Sequence, residues 1–203
     1  MNQRLVWNFE FTPKTSAPLA SFVDKEDDHL KWEIRYFWPD SEIIILNTID
    51  SSLLDLANYK QKHKEDYYYL LPGCNYNIKK RHEQLLYKPL LEHANHAVGY
   101  GAKITINPLQ EQSLPLELQK IIPHIETKGV SVYVKKEAFI YKFPTTPTIK
   151  IELARLEVLH KIYFSLCIEG KSRHLVETIS QHLLNEPVSC EYVTFLKNLL
   201  KLC

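Results

Sequence analysis

The feature that most constrains this chain is a succession of short runs in which apolar and polar residues alternate with a period of two. Lys31 to Trp38 sets Trp32, Ile34, Tyr36 and Trp38 on one face and Glu33, Arg35 and Phe37 on the other. That alternation is the signature of a strand. Pro39 and Asp40 close it. Trp7, Phe9 and Phe11 alternate in the same way ahead of Pro13 and Pro18, which predicts a short strand or arm and then a loop. Ser41 to Leu46 is a further apolar run. Asp66 to Leu71 and Asn77 to Arg81, joined by Pro72 and Gly73, predict a hairpin. Leu85 to Leu91 and Ala102 to Ile106 continue the series across a loop containing Gly99 and Gly101. Val130 to Phe143, Thr148 to Val158 and Ile162 to Glu169 follow as three strands punctuated by Pro144, Pro147 and Gly170.

Helical periodicity is confined to a few places. Ser51 to Lys64 predicts a helix, with Leu53, Leu54, Leu56 and Ala57 ahead of a basic end at Lys60, Lys62 and Lys64, where positive charge suits the helix dipole. Leu116 to Ile122 predicts a short one. Beyond Gly170 the stripes Leu175, Val176, Ile179, Leu183 and Val193, Leu196, Leu199, Leu200 predict a helical hairpin broken near Pro187. The expected fold is therefore α+β: a mostly antiparallel barrel or strongly curved, tunnel-like sheet of about eight strands, with helices packed outside and a C-terminal helical hairpin. Without repeats or a long linker, residues 1–203 read as one domain, with 1–30 as an N-terminal arm and 171–203 as C-terminal helices.

Composition bounds the function. With 45% hydrophobic and 24% charged residues the chain can bury a core without a metal or disulfide staple. Cys74, Cys167, Cys190 and Cys203 lack CxxC spacing, and no run approaches membrane-spanning length, so a cytoplasmic, membrane-free protein is expected. The net charge of +1 gives no global drive toward a polyanion, so nucleic acid is not an expected partner. Charge is uneven locally: Lys79, Lys80, Arg81, Lys88 and Lys103 fall in a stretch with few acids, whereas Asp24 to Asp28 is acidic. P-loop, dinucleotide and serine-hydrolase motifs are absent from the sequence. Glu92, His93 and His96 have an i, i+3 histidine spacing that a helix would present on one face, but a surface turn is the better reading.

The candidate site residues are charges on strand faces. Glu33 and Arg35 share a face, as do Lys79 and Arg81, and Lys150 and Glu152, while Lys88, Lys135 and Glu169 are single charges in apolar runs. An open antiparallel sheet with one wet face gives such alternation with no function attached. A barrel with a polar lumen gives it too, and about eight strands leave room for one small ligand. Arg81 and Lys88 are expected to share one cavity, because a turn around His82 to Gln84 folds their strands together.

In order and spacing, the pieces EIRYF (33–37), DYYYLL (66–71), IKKR (78–81), LLYK (85–88), VYVKK (132–136), IKIELARLEV (149–158) and SLCIEG (165–170) resemble the CYTH, or triphosphate tunnel, family over about residues 31–185. The resemblance implies binding, and cleavage or cyclisation, of a triphosphate or other phosphorylated small molecule or polyphosphate with Mg²⁺ or Mn²⁺, as a triphosphatase or other phosphohydrolase does. It implies Glu33 and Lys88 as catalytic residues. Arg35, Lys79, Arg81, Lys88 and Lys135 would hold phosphate oxygens, with Lys136 the alternative to Lys135. Glu33, Glu152 and Glu169 would hold the metal. The family's opening E-x-E-x-K reads E-x-R-x-F here, with Arg35 for the second acid and Phe37 for the lysine. A non-catalytic module for a phosphorylated ligand or an acidic peptide is the alternative expectation, because Arg35 adds positive charge where metal binding needs negative.

Overall fold

The structure, a computed structural model, describes residues 1–13, 22, 27–107, 114–184 and 189–202. The loop through Pro18, most of the acidic run ending at Asp28, and Pro187 and Cys203 lie outside them.

The fold is α+β with a large antiparallel sheet and three helices. β1 (Gln3–Val6), β2 (Phe9–Thr12) and β4 (Ile44–Asn47) form a small sheet in which β4 runs parallel to β2. The large sheet contains β3 (Lys31–Pro39), β5 (Lys60–Leu70), β6 (Asn77–Arg81), β7 (Gln84–Lys88) and β8 (Leu90–Ala94). It also contains β9 (Ala97–Tyr100), β10 (Ile104–Ile106), β11 (Val130–Lys142), β12 (Lys150–Val158) and β13 (Lys161–Gly170). Its ten strands are ordered β10-β7-β6-β5-β11-β12-β13-β3-β9-β8. The pair of strands at one end of that order, β10 with β7, is linked directly in sequence to the pair at the other, β9 with β8. Pro89 alone separates β7 from β8, and β9 leads directly into β10, which pairs back on β7. Pro89 lacks the N–H that a ladder needs, so the expected single strand Leu85–Leu91 becomes two, each paired at a different end of the sheet. The loop expected around Gly99 is instead strand, and Gly99 sits where a Cβ would meet the Leu30 and Trp32 side chains.

The helix expected over Ser51–Lys64 is absent. Two short 3-10 turns, Ser51–Leu54 and Leu56–Asn58, occupy its first part, and β5 begins at Lys60. Asp50 and Asp55 each accept a hydrogen bond from the backbone N–H two residues on, at 2.8 and 2.9 Å, a local bond that competes with helix. Beyond them β5 pairs with β11 over Lys60–Leu70, and ladder and packing together override helix propensity.

Helices cover the sheet in three places. The outer face of β3, β12 and β13 packs against α2 (Arg173–Leu183) and the small sheet around Phe9, Phe11, Leu166 and Ile179. α1 (Leu116–Lys128) covers Ile78, Tyr87 and Ile106. α3 (Tyr192–Leu200) does not pack outside as expected. It lies on the inner face, against Tyr68, Val132, Val134, Ala154 and Leu156. Phe37 stacks on Phe195 with ring centroids 3.8 Å apart, and Lys197 donates to the Cys74 carbonyl and to Asn75 Oδ1. Phe37, standing where the resembled motif has lysine, is thus a packing residue. No helix among the described residues is long and apolar enough to cross a membrane.

Candidate anion-binding cavity

Along each inner row the side chains change from charged to apolar at the end that α3 covers. On β5 the row reads Lys60, Lys62, Lys64, Asp66, Tyr68, Leu70, and on β12 it reads Lys150, Glu152, Ala154, Leu156, Val158. The charged ends line a cavity of about 670 Å³. Twelve Lys and Arg side chains line it against three Glu, within a chain whose net charge is +1. The imbalance is therefore concentrated by the fold.

Glu33, Arg35, Lys79, Arg81, Lys88, Glu152 and Glu169 all line this one cavity. Lys135 does not. It is exposed on the outer face of β11 beside Glu65 and Glu157, while Lys136 shares the inward parity of buried Val134 and Ala138. Arg81 and Lys88 face the cavity but are not neighbours, because Arg81 pairs with Gln84 at the turn and Lys88 with Asn77 four residues away. Glu92, His93 and His96 are exposed on β8 and its turn, and strand alternation sends Glu92 and His93 to opposite faces, so the histidine spacing builds no site.

The carboxylates Glu33, Glu152, Glu169 and Asp66 are each ion-paired, and Arg35 is shared between the first two. Glu33 accepts from Arg35 Nε at 2.9 Å and from Lys88 Nζ at 2.9 Å. Glu152 accepts from Lys136 Nζ at 2.7 Å and Arg35 Nη1 at 3.3 Å, with Lys64 Nζ 3.9 Å away. Glu169 pairs with Lys31 at 2.7 Å. Asp66, which sequence reasoning passed over, accepts from Arg81 Nε and Nη2, both at 2.6 Å, and from Lys79 at 3.0 Å. Burial pushes the Glu33 and Glu152 carboxyls up, but Lys88 and Arg35 beside the first, and Lys136, Arg35 and Lys64 beside the second, hold both below the usual carboxylate range. Burial together with Arg81 and Lys136 lowers the Lys79 ammonium to about 7 despite Asp66. Burial and Lys136 lower Lys64 to about 8 despite Glu152.

Lys60, Lys62, Lys103, Lys142 and Lys150 line the same cavity with no ion pair among the described residues. These are the cations left for an external anion. The β5 lysines were legible as K-x-K-x-K-x-D-x-Y, a period-two run that the helical reading of their neighbours concealed.

Glu33, Cys167 and Glu169 offer three donor atoms within 4.8 Å of one another. The expected set of Glu33, Glu152 and Glu169 does not gather in the same way. The Arg35 guanidinium bonds both Glu33 and Glu152, and Lys88, Lys136 and Lys31 pair with Glu33, Glu152 and Glu169 in turn. Burial pushes the Cys167 thiol up, and a protonated thiol is a poor ligand for hard, oxygen-seeking Mg²⁺ or Mn²⁺. These residues do not fit such an ion.

No protein-family model matches the chain, and no curated protein matches it. Solved structures similar to it include HpAC1 from Hippeastrum, described as an adenylyl cyclase candidate with a dominant triphosphatase activity. It is 10% identical over 74% of this chain and 84% of that one, with a TM-score of 0.43. A candidate adenylate cyclase from Bacillus halodurans is 9% identical over 73% and 86%, with a TM-score of 0.39. Likenesses this distant leave function to the chemistry of this chain's own cavity.

Proposed function

We propose that this chain is a CYTH-like protein that binds a linear polyphosphate or the triphosphate of a small molecule inside a charged tunnel. The observation that carries the reading is the excess of twelve Lys and Arg over three Glu around one cavity. Closure of the sheet into a tunnel is supported by the continuity of β7 with β8 through Pro89 and by the bond from Lys88 on β7 to Glu33 on β3, which stand six places apart in the strand order. In this reading the tunnel has eight strands, with β7 counted together with β8 and β9 with β10.

In this reading the rim lysines meet the phosphates first, and Lys62 and Lys60 extend the row outward from Lys64 and Arg81. Alternate side chains on a strand are roughly 6 to 7 Å apart, so the row spans several phosphate units. Charge-assisted hydrogen bonds to phosphate oxygens supply the attraction. Hydrolysis is not part of the proposal, since the carboxylates that would carry Mg²⁺ or Mn²⁺ are engaged by cations.

Isothermal titration with tripolyphosphate, and phosphate release from tripolyphosphate, ATP and thiamine triphosphate in Mn²⁺, test it. Saturable binding without release is expected. Absence of binding overturns the reading, and metal-stimulated release replaces it with a phosphohydrolase.

A further inference from the structure

Resting on the reading of the cavity as an anion site, we propose that Arg35 is its resident cation, bridging Glu33 and Glu152 as a divalent ion would, so that phosphate binding needs no metal. Its Nε donates to Glu33 Oε1 at 2.9 Å, and its Nη1 donates to Glu152 Oε1 at 3.3 Å and to Ser165 Oγ at 3.1 Å. The guanidinium lies 5.2 Å from the Tyr192 ring centroid, and the Arg35 carbonyl accepts from the Cys190 N–H at 2.8 Å, beside the start of α3. The side chain is 7% exposed. It is held on three sides by groups from β3, β12 and β13 and on a fourth by α3.

Two buried carboxylates facing one cavity require a counter-charge. A metal ion would meet that need with an exchangeable ligand shell and could activate a bound water. Arginine meets it with a permanent charge and a planar fork of donors, and carries no such water. Entry of a divalent ion would have to displace Arg35 Nε or Lys88 from Glu33, and Arg35 or Lys136 from Glu152. It would then sit among three cations, Arg35, Lys88 and Lys136. Register adds a further demand for fixed positive charge, since Glu33 and Glu169 are directly opposite across β3 and β13, an unfavourable pairing that Arg35, Lys88 and Lys31 offset.

The test compares the parent with Arg35→Glu and Arg35→Gln, each confirmed folded by thermal melting. Two probes are titrated by calorimetry: Mn²⁺ alone, and tripolyphosphate in EDTA or in Mn²⁺. The parent is expected to ignore Mn²⁺ and to bind tripolyphosphate within about twofold in the two buffers, whereas Arg35→Glu gains Mn²⁺ binding and recovers about tenfold in tripolyphosphate affinity when Mn²⁺ is added. Arg35→Gln, which removes the charge without adding a carboxylate, covers the case in which the glutamate does not fold, and it too gains Mn²⁺ binding. A parent that binds Mn²⁺ with Arg35 in place, or that loses about tenfold in EDTA, overturns the inference. So does a folded variant that remains indifferent to Mn²⁺. If no form binds tripolyphosphate, the anion reading fails by itself, and the Mn²⁺ titrations still decide the role of Arg35.

Discussion

Lys79 is a side chain whose charge is nearly balanced at neutral pH. An unfolded lysine titrates near 10.4, while burial and the like charges of Arg81 and Lys136 bring the folded value to about 7 despite Asp66. Between those values the unfolded state holds the extra proton, so the stability of the empty protein rises with pH across that window. Anion affinity moves the other way, because the neutral amine attracts no phosphate, and Lys64 at about 8 adds to the decline. Calorimetric titration at several pH values should show tripolyphosphate binding weaken from about pH 6.5 to 8.5, and melting curves without ligand should rise. Flat affinity across that range would contradict the assignment of Lys79 to the anion site, and Lys79→Met should remove part of both trends. Turn residues give a second prediction. Leu159 and His160 have φ of 51° and 60° in the two-residue β12–β13 turn, a backbone region that costs non-glycine residues roughly 1–2 kcal/mol. Leu159→Asn with His160→Gly should raise stability by about 1 kcal/mol in denaturant melts.

At the scale of elements, α3 is the piece whose position most affects the cavity. Leu196 is fully buried between this helix and the inner faces of β5, β11 and β12. Leu196→Ala should lower stability by about 3 kcal/mol through the cavity it leaves, measured by chemical denaturation. A change of a few tenths would mean that α3 is loosely docked. The amphipathic stripe of α3 was readable, because Val193, Leu196 and Leu200 recur at helical spacing. The surface it covers was not readable, since one apolar stripe fits the outer or the inner side of a curved sheet equally well. β5 shows the opposite failure. Its inner row of alternate lysines was visible, but the leucines before it masked the start of the strand, and only pairing with β11 settles the boundary.

At the scale of the whole molecule, a chain of net charge +1 carries a cavity whose charged lining is mostly basic. Affinity should therefore rise from phosphate to pyrophosphate to tripolyphosphate and fall steeply with salt, since surface-accessible charges are screened over about 8–10 Å at physiological ionic strength. Lys60→Gln with Lys62→Gln should weaken tripolyphosphate by about tenfold while leaving the melting temperature nearly unchanged, because neither lysine has an ion-pair partner among the described residues. Equal affinity for phosphate and tripolyphosphate would contradict a row of sites. The sequence by itself determined the α+β class, the existence of most strands and the shared faces of Glu33 with Arg35, Lys79 with Arg81 and Lys150 with Glu152, because strand alternation is a local property of the backbone. Only the tertiary structure decided that these faces converge, that Lys136 and not Lys135 points inward, that Asp66 serves Lys79 and Arg81, and that Arg35 stands between two glutamates. Those facts depend on which strand faces meet and on register between strands more than a hundred residues apart, as with Arg35 and Glu152. Both are set by packing that no single segment contains.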